Sequence, residues 1–384
     1  MISVDEALEH LAAHAVAPPT EPVPVADAAG RRVAEAVRAA SPVPPFTNSA
    51  MDGWAVRAED GEALRVEVGE SRAAAPWAGV LAVGQAVAIS TGAVLPDAAD
   101  AVVPLERVTR DGERLLIDGP VGPGDHIRPA GGDIAAGAEL LPAGRMLAAP
   151  ELATLAGAGV AEVMCHARPR VALLMSGDEV RPAGQRLAPG QVHDGNTPAL
   201  AAQITAAGAE LVAVETVADD RAATEDAVRR LLGVAEVLVT TGGVSVGPHD
   251  HLRPAFRSAG LEKVFWGIRA RPGSPLWFGA GPGARVLGLP GNTVSAVVGM
   301  HVFGRLLLGA DIGWRRRAPL AIDYPRATPR EELIRCRIGE AGLEPLSRQA
   351  SHAVTSLVAD VLARVPEGDG DLAAGAELAW MPFR

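Results

Sequence analysis

At 384 residues with a formal net charge of -11, the chain is too long for one core and too acidic for a general nucleic-acid or anionic-membrane surface, so several domains and no spread cationic face are expected. Gly (43) and Pro (31) are abundant, which predicts many short elements joined by tight turns. Lys263 is the sole lysine and arginine carries the remaining positive charge.

The first segment, MISVDEALEHLAAHAV, reads as an amphipathic helix with acids in it, not as an export signal. No apolar run approaches the roughly 20 residues of a membrane span. Cys165 and Cys336 fit neither a CxxC nor a zinc spacing and read as buried thiols in a reducing, cytoplasmic compartment.

From about Ala26 to Ala167 short Val/Leu/Ile runs are broken by Gly and Pro (LRVEVGE, VAISTGAVLP, AELLPAGRML), a β-rich texture. Helices are expected there only at Arg31 to Ala39 and at Ala149 to Ala156, the second opened by Pro150. From Pro169 to about Gly309 the order becomes strand, loop, helix. Strands are expected at Val171–Met175, Leu211–Val217, Val237–Thr241 and Val286–Leu289. Helices are expected at Pro198–Ala207, Arg221–Leu232 behind a capping Asp220, and Val294–Leu308. This alternation predicts a three-layer parallel-sheet α/β domain whose ligands sit beyond the carboxyl ends of the strands. After about Arg315, short strands (LAIDYP, ELIRCRIG and the run to WMPFR) predict a small C-terminal β domain. The expected division is 1–25 for an N-terminal helix, 26–44 with 126–168 for a linking α/β subdomain, 45–125 for a β-rich subdomain, 169–312 for the α/β domain and 313–384 for the terminal β domain.

Chemistry concentrates at the strand ends. Val239-Thr-Thr-Gly-Gly-Val-Ser-Val-Gly247 runs from a strand into a glycine-rich loop. Gly242, Gly243, Ser245 and Gly247 can present N–H groups to a phosphate, and Asp250 adds a carboxylate that a plain turn does not need. Asp178 and Glu179 follow a second strand. Adjacent acids on one edge repel, and a divalent cation relieves them, although solvated loop acids fit the same pattern. Asp219 and Asp220 follow a third strand, with Asp220 the helix cap and Asp219 the freer. The fourth strand ends in Pro290-Gly291-Asn292, a tight βα turn that can also offer helix N-terminal N–H groups to an anion. Arg269 and Arg271 lie upstream, either at the same anion or on the solvated surface. Together the acids and the loop predict metal-assisted chemistry on a phosphate ester or anhydride. Asp52, within PFTNSAMDGWAV, and Thr91, in TGAVLP, are by composition loop residues only.

The runs PPFTNSAMDGWAV (Pro44–Val56), STGAVLPDAADAVVPLE (Ser90–Glu106), IRPAGGDI (Ile127–Ile134), SGDE (Ser176–Glu179), TTGGVSVGPHD (Thr240–Asp250) and GLPGN (Gly288–Asn292) resemble, in order and spacing, the molybdopterin molybdenumtransferases, the family of MoeA and the gephyrin E domain. The resemblance spans nearly the whole chain. It implies an elongated four-subdomain chain forming a homodimer, with the active cleft shared between protomers. It also implies insertion of molybdate into adenylylated molybdopterin with Mg2+ and release of AMP. By that resemblance Asp52, Thr91, Glu179, Asp219 and Asp250 fall on positions important for activity, Asp178 joins the metal-holding acids, and Arg128 and Asp133 match its RxxGxD-like segment. Ser351 matches a serine of the last subdomain, and arginines near Arg271 hold molybdate. An upstream adenylyltransferase and recipient molybdoenzymes are the implied protein partners.

The chain departs from the family pattern at Gly132 (a frequent glutamate), Gly267 and Ser274 (frequent lysines) and Thr293 (a proline), and Arg271 replaces a lysine. Arg253 and Arg269 are the candidates to restore the lost charge. Two alternatives stay open: a molybdopterin adenylyltransferase, a single-domain enzyme that shares the glycine loop and sheet, and a non-catalytic molybdopterin-binding scaffold.

Overall fold

The computed structural model describes residues 1–61, 64–243, 251–310 and 312–383. The chain divides into two compact units, Met1–Pro19 with Ala167–Arg384, and Thr20–His166.

The first unit opens with α1 (Val4–Ala13). Ser3 caps it by accepting the Glu6 N–H at 3.1 Å, and the Glu6 carboxylate accepts the Ser3 N–H at 2.7 Å, a reciprocal box that satisfies two free helix donors. The α/β domain follows as β1 (Arg170–Ser176), α2 (Asn196–Ala206), β2 (Glu210–Val217), α3 (Arg221–Leu232), β3 (Val237–Thr241), α4 (Leu252–Ser258), β4 (Glu262–Trp266), β6 (Trp277–Gly281), β7 (Ala284–Leu289) and α5 (Thr293–Gly299). A two-residue strand, β5 (Ala270–Arg271), lies between β4 and β6. The sheet order is β2-β1-β3-β7-β6-β4. Its first four strands are parallel, as expected from the sequence. β4 and β6, which the sequence reading did not contain, add an antiparallel edge.

β1 is buried from Val171 to Met175, the continuous apolar run required when helices cover both sheet faces. Alternate residues serve different cores: Val171 and Leu173 pack with α1, α2 and α5, while Ala172 and Leu174 pack with α3 and α4. Asp220 caps α3 by accepting the Ala223 N–H at 2.8 Å, and Gly208 closes the α2 turn at φ +83°.

After α5 the helix widens into a π turn over Met300–Gly304 and ends at Leu307. The C-terminal domain has strands β8 (Arg316–Pro319), β9 (Glu331–Gly339), β10 (Gly342–Pro345), β11 (Val361–Val365) and β12 (Glu377–Pro382). β5 joins their sheet, in the order β5-β9-β11-β12-β8, through parallel pairing of Ala270 and Arg271 with Glu331 and Glu332. LAIDYP is not a strand: the pairing segment ends at Pro319, and Leu320 and Tyr324 make only isolated bridges. There the Asp323 carboxylate accepts the Ala374 N–H at 2.8 Å, and the Tyr324 hydroxyl turns inward to Glu332 at 3.0 Å.

In the second unit a six-stranded sheet runs in the order 101–104, 53–56, 85–89, 65–71, 114–117, 108–111. A separate core of Val23, Val33, Leu147, Leu155, Val163 and Cys165 lies under the helix Ala149–Gly157. Arg31 to Ala39 is not helical. Arg32 and Val33 bridge to Met146 and Cys165, and Val37–Arg38 pairs with Glu139–Leu141. The β-branched Val33 and Val37 sit in extended backbone with Val33 fully buried, so tertiary pairing outweighs the weak helical pattern.

His301 is buried in the π turn. Its Nε2 lies 2.8 Å from the Pro382 carbonyl and its ring is edge-on to Phe383. Burial and the nearby Arg305 guanidinium hold its pKa down to about 4. Because the unfolded imidazole protonates near its ordinary value of about 6.5, this group's stabilisation is present above that pH and is lost as pH falls toward 4. Chemical denaturation at pH 7 and pH 5 is expected to cost the native chain about 2 kcal/mol more than His301→Gln over that interval; equal losses would show that the ring titrates normally.

Candidate active site

The pairing register sets Ser176, Val217, Thr241 and Leu289 at the carboxyl ends of adjacent strands. The loops after them form one edge. The Ser176 hydroxyl donates to the Asp219 carboxylate at 3.0 Å, and the Asp219 N–H approaches an Asp178 carboxylate oxygen at 3.4 Å. Gly242 follows Thr241 at φ +79°. A Cβ there would stand 2.7 Å from the Ser176 carbonyl oxygen, so only glycine lets the loop leave the sheet at this point. Gly243 continues the turn, also at positive φ. Ser245, Gly247 and Asp250 lie outside the described residues.

Asn196, which the sequence reading passed over, ties two of these loops together. Its side-chain amide donates to the Thr241 hydroxyl at 3.2 Å and to the Gly291 carbonyl at 2.9 Å, and the residue is 8% exposed. Asp194 in turn fixes Asn196 by accepting the N–H groups of Asn196 and Thr197, each at 2.9 Å. The signal in the sequence is DGN directly before the α2 pattern, an Asx turn at a helix start.

A cleft of about 490 Å3 opens on this edge. Its lining includes Ser176, Glu179, Asp194, Asn196, Thr241, Gly242, Gly291, Asn292, His352 and Val354. Pro290 is buried beneath the turn. Ser351 meets the same turn, its hydroxyl accepting from the Asn292 amide at 3.3 Å. A second cleft of about 720 Å3 is lined by Arg271, Tyr324, Ser347, Arg348, Gln349 and Thr355, and again by His352 and Val354. The Arg271 guanidinium lies 3.8 Å from the buried Glu332 carboxylate. Arg269 does not share that position. It pairs with Glu367 at 2.9 Å and donates to the Met1 carbonyl, while Arg253 stacks over Trp266 at 4.7 Å. Both proposed replacements for the missing lysines are therefore engaged elsewhere.

Two of the departures have tertiary roles. Gly267 stands at φ +80° with the Met1 side chain in its Cβ direction, so a lysine there would be strained in its backbone and would press on Met1. The Ser274 hydroxyl donates to the Ile268 carbonyl at 3.0 Å and accepts from Arg330 at 3.3 Å. Thr293 begins α5 and lines the first cleft. Nothing in the structure explains Gly132.

In the second unit three loops converge. Asn48–Ser49 pairs with Ile127–Arg128, Asn48 bridges to Val94, and the Ala130 N–H donates to the Thr47 hydroxyl. Asp52, Thr91 and Arg128 thus share one exposed loop cluster, with Asp133 close by through its backbone bond to Val43. The Asp52 carboxylate accepts the Thr91 N–H at 2.7 Å and its hydroxyl at 3.0 Å. These two bonds, the backbone one first, hold the Asp52 carboxyl below the usual range.

Among the described residues no three His, Cys, Asp or Glu side chains form a ready metal cage. Asp178 and Asp219 stand on adjacent loops, the Asp219 N–H 3.4 Å from the Asp178 carboxylate, and carboxylate oxygens are the ligand type that Mg2+ takes while keeping much of its water. The donor chemistry fits, with Asp250 lying outside the description.

The fold is a parallel-sheet α/β domain with a strand-end cleft, joined in one chain to a β-rich region and a terminal β domain. Residues 2–159 match the MoeA N-terminal region (domain I and II), residues 172–309 a probable molybdopterin binding domain, and residues 317–383 the MoeA C-terminal region (domain IV). The chain is 33% identical over 379 residues to molybdopterin molybdenumtransferase 2 of Mycobacterium tuberculosis, covering 93% of each. It is 33% identical over 385 residues to the molybdopterin molybdenumtransferase of Haemophilus influenzae, covering 95% of this chain and 94% of that one. A crystal structure of the molybdopterin biosynthesis MoeA protein of Pyrococcus horikoshii superimposes with TM-score 0.79 at 30% identity, covering 100% of this chain and 99% of the other. The chain belongs to the molybdopterin molybdenumtransferase (MoeA) family.

Thr91→Val removes one of the two bonds to Asp52. The Asp52 carboxyl pKa, followed by NMR titration, is expected to rise toward the ordinary carboxylate value; no movement would mean that the pair does not persist in solution.

Proposed function

We propose that this transferase of molybdenum cofactor biosynthesis inserts molybdate into adenylylated molybdopterin in a Mg2+-dependent reaction that releases AMP. The observation that carries the reading is the pair of clefts that share His352 and Val354, one edged by carboxylates and Gly242, the other by Arg271 and hydroxyl groups. In the first, the N–H groups of Gly242 and Gly243 and those of Gly291 and Asn292 donate to the phosphates, and Asn196 keeps the two turns at a fixed spacing. Ser245 and Gly247, which lie outside the described residues, are assigned to the same phosphate-binding loop from the sequence. In the second, Arg271 and Arg348 hold the molybdate dianion beside Ser347 and Thr355. Asp178, Glu179 and Asp250 would hold Mg2+, and Asp219 supports Asp178 and Ser176. When bound, the ion withdraws charge from the phosphoanhydride and so favours departure of AMP. By the family resemblance Asp52, Thr91 and Arg128 are assigned a part in the same reaction, and within their own unit the Thr91 bonds hold the Asp52 carboxyl below its ordinary value.

The proposal extends to a homodimer working in the cytoplasm, supplied by an adenylyltransferase and delivering to molybdoenzymes. Among the described residues no helix is long and apolar enough to cross a membrane. Both cysteines are free and buried, and burial pushes the Cys336 thiol up to about 12.

Purified protein given adenylylated molybdopterin, Mg2+ and molybdate is expected to release AMP only when molybdate is present, without consuming ATP. Glu179→Ala and Asp250→Ala are each expected to reduce that release by about 100-fold or more while leaving the thermal transition in place. Unchanged turnover in both would refute the acid edge. ATP consumption would point to an adenylyltransferase, and binding without AMP release to a scaffold.

A further inference from the structure

The two clefts share the lining residues His352 and Val354, and the chain on either side of this pair is anchored by side-chain hydrogen bonds. On its N-terminal side the Gln349 side chain accepts the Arg335 N–H at 3.0 Å and donates to the carbonyls of Arg335 and Leu346, each at 2.8 Å. On its C-terminal side the Ser356 hydroxyl donates to the Ala353 carbonyl at 2.8 Å and accepts from the buried Arg335 guanidinium at 3.2 Å. Between these anchors Ser351 is bonded to Asn292 on the strand-end turn. Of the two residues that line both clefts, His352 and Val354, only His352 carries a proton-transferring group.

Ordinary solution chemistry tells what such a group is needed for. Replacing one oxygen of molybdate by a thiol sulfur forms a Mo–S bond and breaks a Mo–O bond. Molybdate, one thiol and one proton give a thiolato-trioxomolybdate and water, with molybdenum remaining Mo(VI) throughout. The thiol brings one of the two hydrogens of that water, and the second must be delivered to the departing oxygen. Arginines hold the dianion but cannot supply a proton near neutral pH. Imidazole can.

We propose that His352 is a catalytic residue that touches both substrates and delivers the proton to the oxygen leaving molybdate. This rests on the function proposed above, and it adds a role that no carboxylate of the strand-end edge supplies. The anchors explain why the imidazole can be both exposed and well placed: Gln349, Ser351 and Ser356 fix the backbone on either side, so the ring needs no burial of its own to be oriented.

The test uses the full chain with His352→Ala and His352→Gln. Molybdate-dependent AMP release is expected to fall by about 100-fold in both, while calorimetric binding of AMP alone and of molybdate alone stays within about threefold of the native chain. Added imidazole is expected to restore part of the turnover in His352→Ala. Turnover within about threefold of native in both variants, or a loss fully explained by weakened AMP binding, would overturn the assignment. If the native chain itself releases no AMP with molybdate, the underlying reading fails and His352 falls with it; a working native chain with working variants refutes only His352.

Discussion

The site depends on keeping the tips of the parallel strands level and their loops a fixed distance apart. Asn196 does this with one buried amide, bonded at once to the hydroxyl at the end of β3 and to the carbonyl in the turn after β7. Ser176 performs a parallel task at the end of β1 by holding Asp219. Backbone donors in glycine turns are weak and diffuse anion binders unless their spacing matches the phosphate, so under the proposed function a clamp of this kind would make the two turns act as one cradle. Gly242 shows how little room the clamp leaves, since even a methyl group would collide with the carbonyl of Ser176.

An acidic chain that handles anions must confine its positive potential to small regions. It does so in part by pairing arginines with its own carboxylates. Arg269 is spent on Glu367, Arg364 on Glu331 and Asp5, and Arg230 on Glu215. Arg271 keeps a looser contact with Glu332 and faces a cleft. Placing Arg271 on β5, a strand lent by the α/β domain to the terminal sheet, ties the second cleft to both domains of that unit. Gly267 and Ser274, which look like losses of charge in the sequence, are accounted for by the seating of Met1 and by the hydroxyl bridge between Ile268 and Arg330.

Much of this was legible beforehand, and the reasons differ by element. β1 and β3 announced themselves because burial on both faces demands continuous apolar runs, and α3 because Asp220 and Gly233 bracket it. β4 and β6 were missed since each is short and rich in aromatic or glycine residues whose pattern also suits a loop. Arg31 to Ala39 failed because local helical spacing competes poorly with long-range pairing to Met146, Cys165 and Glu139–Leu141. At the site, Asp178, Glu179, Asp219 and Gly242 were readable as strand-end residues. Asn196, Gln349 and His352 were not, because their importance comes from contacts with residues 45, 95 and 14 positions away or from a cavity wall.

The most direct test of the central claim is AMP binding to an Asn196→Ser chain, measured by calorimetry beside its thermal transition. The account predicts a folded protein whose AMP affinity drops by at least about tenfold, because serine cannot bridge Thr241 and Gly291 and the two turns drift apart. Native-like AMP affinity in a folded Asn196→Ser protein would contradict it.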